Sequence, residues 1–352
     1  MDKSSEKFLK DLLETPSPSG YESNAAKLWR NRVKDSVDEL VTDVHGNSIA
    51  ILNPKAKFKF MLAGHIDEIG LMVMHIDDKG FIYTSQIGGM DPALLIGQRV
   101  KIITSSGPVF GVIGRKAIHL MKPEERKKAV EMSDIWVDIG ADSKEDALKR
   151  VEIGDPMVVD VAVRDLSDDK IVSRATDDKA GAYVVAEVMR KLSKRKLKIC
   201  VAGVATVQEE IGLRGAITSS YSVNPDAGIA IDVNFASDHP DTDPKKVGEV
   251  KVGGGPNLHR GPNMNPILQE NILKIAKKHK IEYQVTGNPR GTGTDANAMQ
   301  LCRGGVAATL ISIPNRYMHT PVEVISKSDL DNVVKLIVEF LASHPATRNY
   351  KL

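Results

Sequence analysis

Val207-Gln208-Glu209-Glu210-Ile211-Gly212-Leu213-Arg214-Gly215-Ala216 is the stretch around which this chain is organised. It follows an apolar run, Ile199 to Ala205, that reads as a buried strand. Two adjacent carboxylates stand where that strand ends, ahead of a glycine-punctuated turn. Neighbouring side chains on extended backbone point to opposite sides, so Glu209 and Glu210 are expected to do different jobs. One can hold a cation while the other moves a proton. An isolated Glu-Glu pair is more simply a solvated strand end. What sets this pair apart is the supply of His and Asp residues at the ends of other strands.

On the C-terminal side, a short helix over Gly215 to Ser222 leads to Ala227-Gly228-Ile229-Ala230-Ile231-Asp232-Val233, another buried strand whose end carries a carboxylate, Asp232. Val306 to Ile313 is a further buried strand, and His319 follows it in Arg316-Tyr317-Met318-His319-Thr320-Pro321-Val322-Glu323. On the N-terminal side, Ile171 to Gly181 opens a helix with Asp177 and Asp178 at its start. Helix capping accounts for one of these aspartates but does not need both. Earlier still, an apolar strand from Phe58 ends in His65, and Asp67 lies two residues on. Period two puts both on one face, which suits a ligand histidine with a carboxylate beside it. The plainer alternative is a satisfied core histidine.

The rest fills in an α/β pattern. Phe8, Leu9, Leu12 and Leu13 mark a first helix stopped by Pro16, Pro18 and Gly20, and Ser23 to Val37 reads as a second. Val41 to Leu52 is a hairpin turning at His45-Gly46-Asn47, which makes His45 a turn residue. Asn265 to Lys280 and Ser328 to Ser343 are helices, with a strand at Glu282 to Thr286. Gly253-Gly254-Gly255-Pro256 is a tight turn without the Lys-Ser/Thr partner of a phosphate loop.

From Leu71 to about Val163 the character changes. Short β-rich runs at Leu71–His75, Phe81–Thr84, Arg99–Thr104, Val109–Ile113, Ile135–Ile139 and Met157–Val161 alternate with turn pairs. Helices at Pro123–Met132 and Lys144–Arg150 interrupt them, and His119 is a loop histidine. We expect a β-rich domain, 71–163, inserted into an α/β domain made of 1–70 and 164–352.

Composition narrows the function classes. The 352 residues are 41% hydrophobic and 27% charged, with a net charge of +2, which gives no push towards nucleic acid or anionic membrane. No apolar stretch has the length of a membrane span. Cys200 and Cys302 are the only cysteines and lie outside any Cys-x-x-Cys motif. Thiolate metal binding and a disulfide framework are therefore not expected, and a cytoplasmic location is.

His65, Asp177, Glu210, Asp232 and His319 share one description: each lies at or just after the end of an apolar strand. Sites of open α/β sheets form outside those ends. Two His and three carboxylates are too many for one tetrahedral zinc. They suit two divalent metals that share one bridging carboxylate. Such a pair polarises a carbonyl and lowers the pKa of a bridging water, the nucleophile. Glu209 is then placed to move that water's proton to a departing amine. This gives a metal-dependent hydrolase without a substrate, and O/N ligands do not discriminate zinc, cobalt and manganese.

The motifs His-Ile-Asp-Glu-Ile-Gly (65–70), Asp177-Asp178, Gln-Glu-Glu-Ile-Gly-Leu-Arg-Gly-Ala (208–216), Asp232, Gly-Thr-Asp-Ala (293–296) and Arg-Tyr-Met-His-Thr-Pro-Val-Glu (316–323) stand in this order over nearly the whole chain. The set resembles the M42 metallo-aminopeptidases, which include the tetrahedral, self-compartmentalising enzymes. The resemblance implies a mixed-sheet zinc-peptidase-like catalytic domain with helices on both faces and an inserted PDZ-like dimerisation domain. It implies Asp177 as the bridging ligand, with His65, Asp232, Glu210 and His319 as the other ligands. Glu209 would be the general base and Asp67 the support of His65. It also implies short peptide substrates and a homododecamer built from dimers around a hollow interior. Lys179 departs from the Arg or Asn of many relatives. Gly254, Gly255, Arg214 and Thr292 are candidates for the pocket that receives the N-terminal side chain. Two rivals remain. A glycan hydrolase, suggested by the naming of some relatives, would need flanking carboxylates but no His ligands. A non-catalytic peptide-binding shell would not need Glu209 beside a ligand.

Overall fold

The computed structural model describes every residue from Met1 to Leu352. Helices α1 (Lys3–Glu14), capped by the Asp2 carboxylate, and α2 (Ser23–Val33) open the chain. Strands β1 (Glu39–Thr42) and β2 (Ser48–Leu52) form the expected hairpin. Its turn is closed by Asp43, whose carboxylate accepts from the backbone N–H groups of Gly46 and Asn47. After β3 (Lys59–His65) come β4 (Gly70–Ile76), β5 (Ile82–Ile87), β6 (Arg99–Thr104) and β7 (Gly107–Arg115). The short helix α3 (Pro123–Arg126), β8 (Ile135–Asp138), α4 (Lys144–Leu148) and β9 (Pro156–Val159) complete that segment. Then follow β10 (Arg164–Asp165), β11 (Lys170–Ser173), α5 (Thr176–Leu192), β12 (Cys200–Thr206), α6 (Arg214–Val223), β13 (Ala227–Phe235) and α7 (Pro244–Val247). The chain finishes with β14 (Asn257–Arg260), α8 (Pro266–Lys278), β15 (Gln284–Gly287), α9 (Asp295–Gln300), β16 (Ala307–Asn315), β17 (Glu323–Ser326) and α10 (Lys327–Ala342).

Eight strands form one mixed sheet in the order β1-β2-β12-β3-β13-β16-β14-β15. The inner four, β12, β3, β13 and β16, run parallel. Their sequences are continuous apolar runs because both faces are covered, which is the usual condition of parallel strands. One face packs against α5, α8 and α10 through Phe60, Leu62, Val201, Ile229, Ile311 and Ile313. The other meets α6 and α9, with Met61, Ala63, Ala202, Val204, Met299 and Ala308 in a second cluster. Truncating Leu62 of this core to alanine would cost about 2–5 kcal/mol.

Helix α5 is buried from Thr176 to Met189. It presses against β3 so closely that a Cβ on Gly64 would lie 2.5 Å from the carbonyl carbon of Gly181. Glycine at 64 lets the start of α5 reach the end of β3 and brings Asp177 to His65, while the missing side chain at Gly181 leaves room for the Asp178 carboxylate.

The β-rich segment is a closed barrel of six strands, ordered β4-β5-β8-β7-β6-β9. It has a core of its own, including Leu71, Val73, Ile82, Val100, Ile113 and Val137. The turn pairs that separate its strands made all six visible in sequence.

Several elements depart from the sequence expectation. The helix at Pro123 stops at Arg126, and the second helix stops at Val33, with a 3-10 turn over Lys34–Ser36. Asp232 lies inside β13 rather than at its end. Strand β12 ends at Thr206, and Gln208 has a left-handed φ of +54°. Glu209 and Glu210 therefore sit in a turn, where strict alternation of side chains does not hold.

Candidate metal centre

The parallel strands end together, and the candidate ligands converge there. His65 closes β3 with its imidazole buried. Its Nδ1 lies 3.2 Å from the backbone carbonyl oxygen of Asp67, which can only accept. Nδ1 therefore donates there, and Nε2 is left to face the cluster, where it can donate to Asp177 or, once deprotonated, take a cation. Asp177 stands between the two histidines. Its Oδ1 is 3.2 Å from Nε2 of His65, and its Oδ2 is 3.3 Å from Nε2 of His319. Asp232 Oδ1 and Glu209 Oε2 lie 3.9 Å and 3.8 Å from His65 Nε2. Glu210 Oε2 lies 3.5 Å from His319 Nε2.

All five sequence-predicted ligands are thus in one place, in two arms joined by Asp177. Glu209 lies beside the His65 arm and Glu210 beside the His319 arm. The separation of the two side chains expected from alternation arises instead from the turn. His119 is exposed in a 3-10 turn of the barrel segment, and His45 sits in the hairpin turn. Asp178, the other half of the aspartate pair, caps: its carboxylate accepts from the backbone N–H groups of His65 and Gly181. The peptide between Asp177 and Asp178 is cis.

The electrostatics are those of a site short of positive charge. Burial, then neighbouring carboxylates, push Glu209 up to about 10, and Glu210 and Asp232 each up to about 8. Asp177 is buried too, but hydrogen bonds to His319 and His65 hold its carboxyl well below the usual range. Burial pulls His65 down, yet Glu209 and the hydrogen bonds to Asp177 and Asp67 outweigh it, and its imidazole stands well above its ordinary value. So many carboxylates cannot all ionise together unless protons or cations compensate them. Oε1 of Glu210 is buried without a hydrogen-bond partner. Ligand atoms of His65, Asp177 and Glu210 lie within 4.8 Å of one another, as do those of His65, Asp178 and Asp232. An imidazole-carboxylate set with an orphaned buried oxygen fits divalent cations.

Side chains from distant segments hold this arrangement. The four successive backbone N–H groups of Val207, Gln208, Glu209 and Glu210 donate to Asn47 Oδ1, Glu22 Oε1, Asp67 Oδ1 and Asp67 Oδ2 at 3.0 to 3.2 Å. Asp67, fully buried and also accepting from Ser19 Oγ at 2.6 Å, thereby fixes the turn as well as His65. Glu323 accepts from Thr176 Oγ1, Asp177 N and His319 N at 2.8, 3.0 and 2.9 Å. Beneath the site, Glu68 pairs with Arg174 and with Lys179, whose Nζ is 2.7 Å away and also donates to Thr15 O. Glu68 and Glu323 sit within the quoted motifs without a role readable from sequence. Glu22, Asn47 and His259 left no signal beyond residue type.

The cluster forms one side of a cavity of about 570 Å³. The other walls carry Phe235, Val247, Leu310, His259, Thr286 and Lys246. Thr292 lines it, whereas Gly254, Gly255 and Arg214 do not. Gly254 and Gly255 instead approach Gln284 and Glu282 at the sheet edge.

The M42 glutamyl aminopeptidase family model matches residues 46–336. The lysyl aminopeptidase of Pyrococcus furiosus is 40% identical over 334 residues, covering 94% of each chain. Among solved structures, the TET aminopeptidase of the marine sediment archaeon Thaumarchaeota archaeon SCGC AB-539-E09 superposes with a TM-score of 0.92 at 34% identity, covering 97% of this chain and 96% of that one. The Pyrococcus horikoshii TET1 peptidase, which can assemble into a tetrahedron or a large octahedral shell, gives 0.85 at 32% identity over 96% and 99% of the two chains.

Proposed function

Because the chain belongs to the M42 glutamyl aminopeptidase family and is a peptide hydrolase, we propose that it releases N-terminal residues from short peptides at the cluster around Asp177. The observation that carries this reading is the Asp177 carboxylate, one oxygen on each histidine arm. His65 and Asp232 would hold one divalent cation, Glu210 and His319 a second, and Asp177 would serve both. Zinc and cobalt head the candidates, with manganese also suited to the donor set. When bound, such cations supply Lewis acidity towards the scissile carbonyl and lower the pKa of the attacking water.

The chain's own residues do the rest. Glu209 takes the proton from the attacking water and delivers it to the departing amine nitrogen. Its buried setting, which favours the protonated form, suits it to give that proton back. Asp67 orients His65 through its carbonyl oxygen and fixes the backbone of Glu209. The cavity of about 570 Å³ beside the cluster would receive the peptide's N-terminal end.

The barrel segment, 71–163, would be the inserted PDZ-like dimerisation domain of a discontinuous 1–70 and 164–352 catalytic domain. Exposed Phe110, Val112, Ile118 and Leu120 support an interface there. A homododecamer built from such dimers, with sites facing inward, would exclude folded proteins by size. No helix is long and apolar enough to cross a membrane, and with two unpaired thiols we place the enzyme in the cytoplasm.

The test is a panel of aminoacyl substrates after chelation and after add-back of each metal, run alongside Glu209→Gln. Activity should vanish on chelation and return with metal, and Glu209→Gln should keep both cations but lose turnover. Normal hydrolysis by Glu209→Gln would remove Glu209 from the reaction, and chelator-resistant activity would remove the metals.

A further inference from the structure

The turn that carries Glu209 is shaped by groups outside it. Its carbonyls are bound within the turn: Val207 O by Gly215 N, Gln208 O by Arg214 N, and Glu209 O by Gly212 N and Leu213 N. Its N–H groups find no backbone acceptor and rely on three side chains. Buried backbone donors need partners, so these side chains select the conformation. Gln208 is the point of greatest demand, because it holds a left-handed φ of +54° although it has a Cβ. Its N–H donates to Glu22 Oε1 at 3.1 Å, and the same oxygen accepts from Gly20 N at 2.6 Å.

Glu22 is buried at the N-cap of α2. It borders a second cavity, of about 630 Å³, whose lining includes Arg30 and Lys101. Those cations are engaged elsewhere, Arg30 with Ser48 and Lys101 with Asp160. The Glu22 carboxylate serves backbone N–H groups instead.

We propose that Glu22 is a positioning residue for Glu209: by anchoring the Gln208 N–H it holds the turn that aims Glu209 at the cluster. This rests on the reading of Glu209 as the base. Glu22 touches neither the ligands nor the cavity that would receive substrate, so its loss should weaken catalysis without weakening substrate or metal binding.

The test uses the metal-loaded full-length enzyme. Glu22→Met keeps the length and removes the acceptor. Glu22→Gln keeps a carbonyl oxygen for both N–H groups. Glu22→Met should lose about tenfold to a hundredfold in kcat, the scale on which small misplacements act, with KM and metal content as in wild type. Glu22→Gln should recover most of that loss. In a Glu209→Gln background, Glu22→Met should add nothing. The proposal is overturned if Glu22→Met turns over normally, if Glu22→Gln is as impaired as Glu22→Met, or if Glu22→Met lowers the residual rate of Glu209→Gln by its full factor. A fully active Glu209→Gln enzyme would sink the base assignment itself, which is a separate failure.

Discussion

Glu323 holds the backbone N–H of Asp177 at 3.0 Å with one carboxylate oxygen while its other oxygen takes the backbone N–H of His319 at 2.9 Å. The residue that joins the two arms of the centre and the residue that ends one of them are thus anchored on a single buried carboxylate from β17. It accepts three hydrogen bonds and donates none. A glutamine there must turn its NH₂ towards one of those N–H groups. Glu323→Gln should therefore cost about 1–3 kcal/mol in folding stability, the penalty for an unsatisfied buried donor. It should also weaken metal affinity about tenfold to a hundredfold, as loss of the groups that orient metal ligands commonly does. Calorimetric metal titration and urea unfolding read the two effects separately. Unchanged metal affinity would mean that His319 and Asp177 hold their places without Glu323.

Lys179 is fully buried on Glu68. Glu68 also takes Arg174 and the backbone N–H of Ser17. Burial pushes the Lys179 ammonium down to about 8, against the attraction of Glu68. Lys179→Met strips one partner from a buried ion cluster and leaves Thr15 O without its donor. We expect a loss of about 3–5 kcal/mol, seen as a lower urea midpoint at unchanged m. A change below 1 kcal/mol would show that Arg174 alone satisfies Glu68.

The sheet was legible because its inner strands are buried on both faces and so read as apolar runs. The barrel was legible from its turns. Strand β14 was not, since Asn257-Leu258-His259-Arg260 is short, polar at three of four positions and set beside a glycine turn. The candidate ligands could be named because each stands at or near the mouth of a strand. Their supports could not. Gln208 adopts its left-handed turn because Glu22, Asn47 and Asp67 accept the neighbouring N–H groups, and those residues lie 140 or more positions away. The aspartate pair was half-legible: capping was expected of one member, but only the fold shows that it is Asp178.

The cavity wall away from the cluster carries one formal charge, Lys246, and no carboxylate. An N-terminal Lys or Arg side chain would find a like charge there, whereas Glu or Asp would find an opposite one. Because Lys246 is exposed, the effect should be modest, up to about 1 kcal/mol or roughly fivefold in kcat/KM. Lys246→Glu should shift the ratio of glutamyl to lysyl substrate turnover towards lysyl. An unchanged ratio would place the side-chain pocket on another wall.

His259, buried on β14 away from the candidate metal ligands, gives the folded chain a pH dependence of its own. Its Nε2 lies 2.8 Å from Ser312 Oγ, and its Nδ1 lies 2.9 Å from Asn288 Nδ2 and 3.1 Å from Thr286 Oγ1. The amide NH₂ of Asn288 faces Nδ1 and that of Asn257 lies 3.4 Å from Nε2, so the ring must offer a lone pair, and the imidazole is neutral. Burial pushes it down to about 4, from an ordinary value of 6.5. A depressed histidine contributes stability that is complete above the unfolded value. As pH falls from 6.5 towards 4, the unfolded chain takes up a proton that the folded chain refuses, and that stability is lost. Between pH 7.5 and 5.0 the loss should be about 2 kcal/mol. His259→Gln, which does not titrate, should be less stable than wild type at pH 7.5, and the gap should close by about that amount at pH 5.0. Urea unfolding of both proteins in chelator keeps metal release out of the comparison. A gap that stays constant across this range would mean that the imidazole takes up its proton as readily in the folded chain as in the unfolded one.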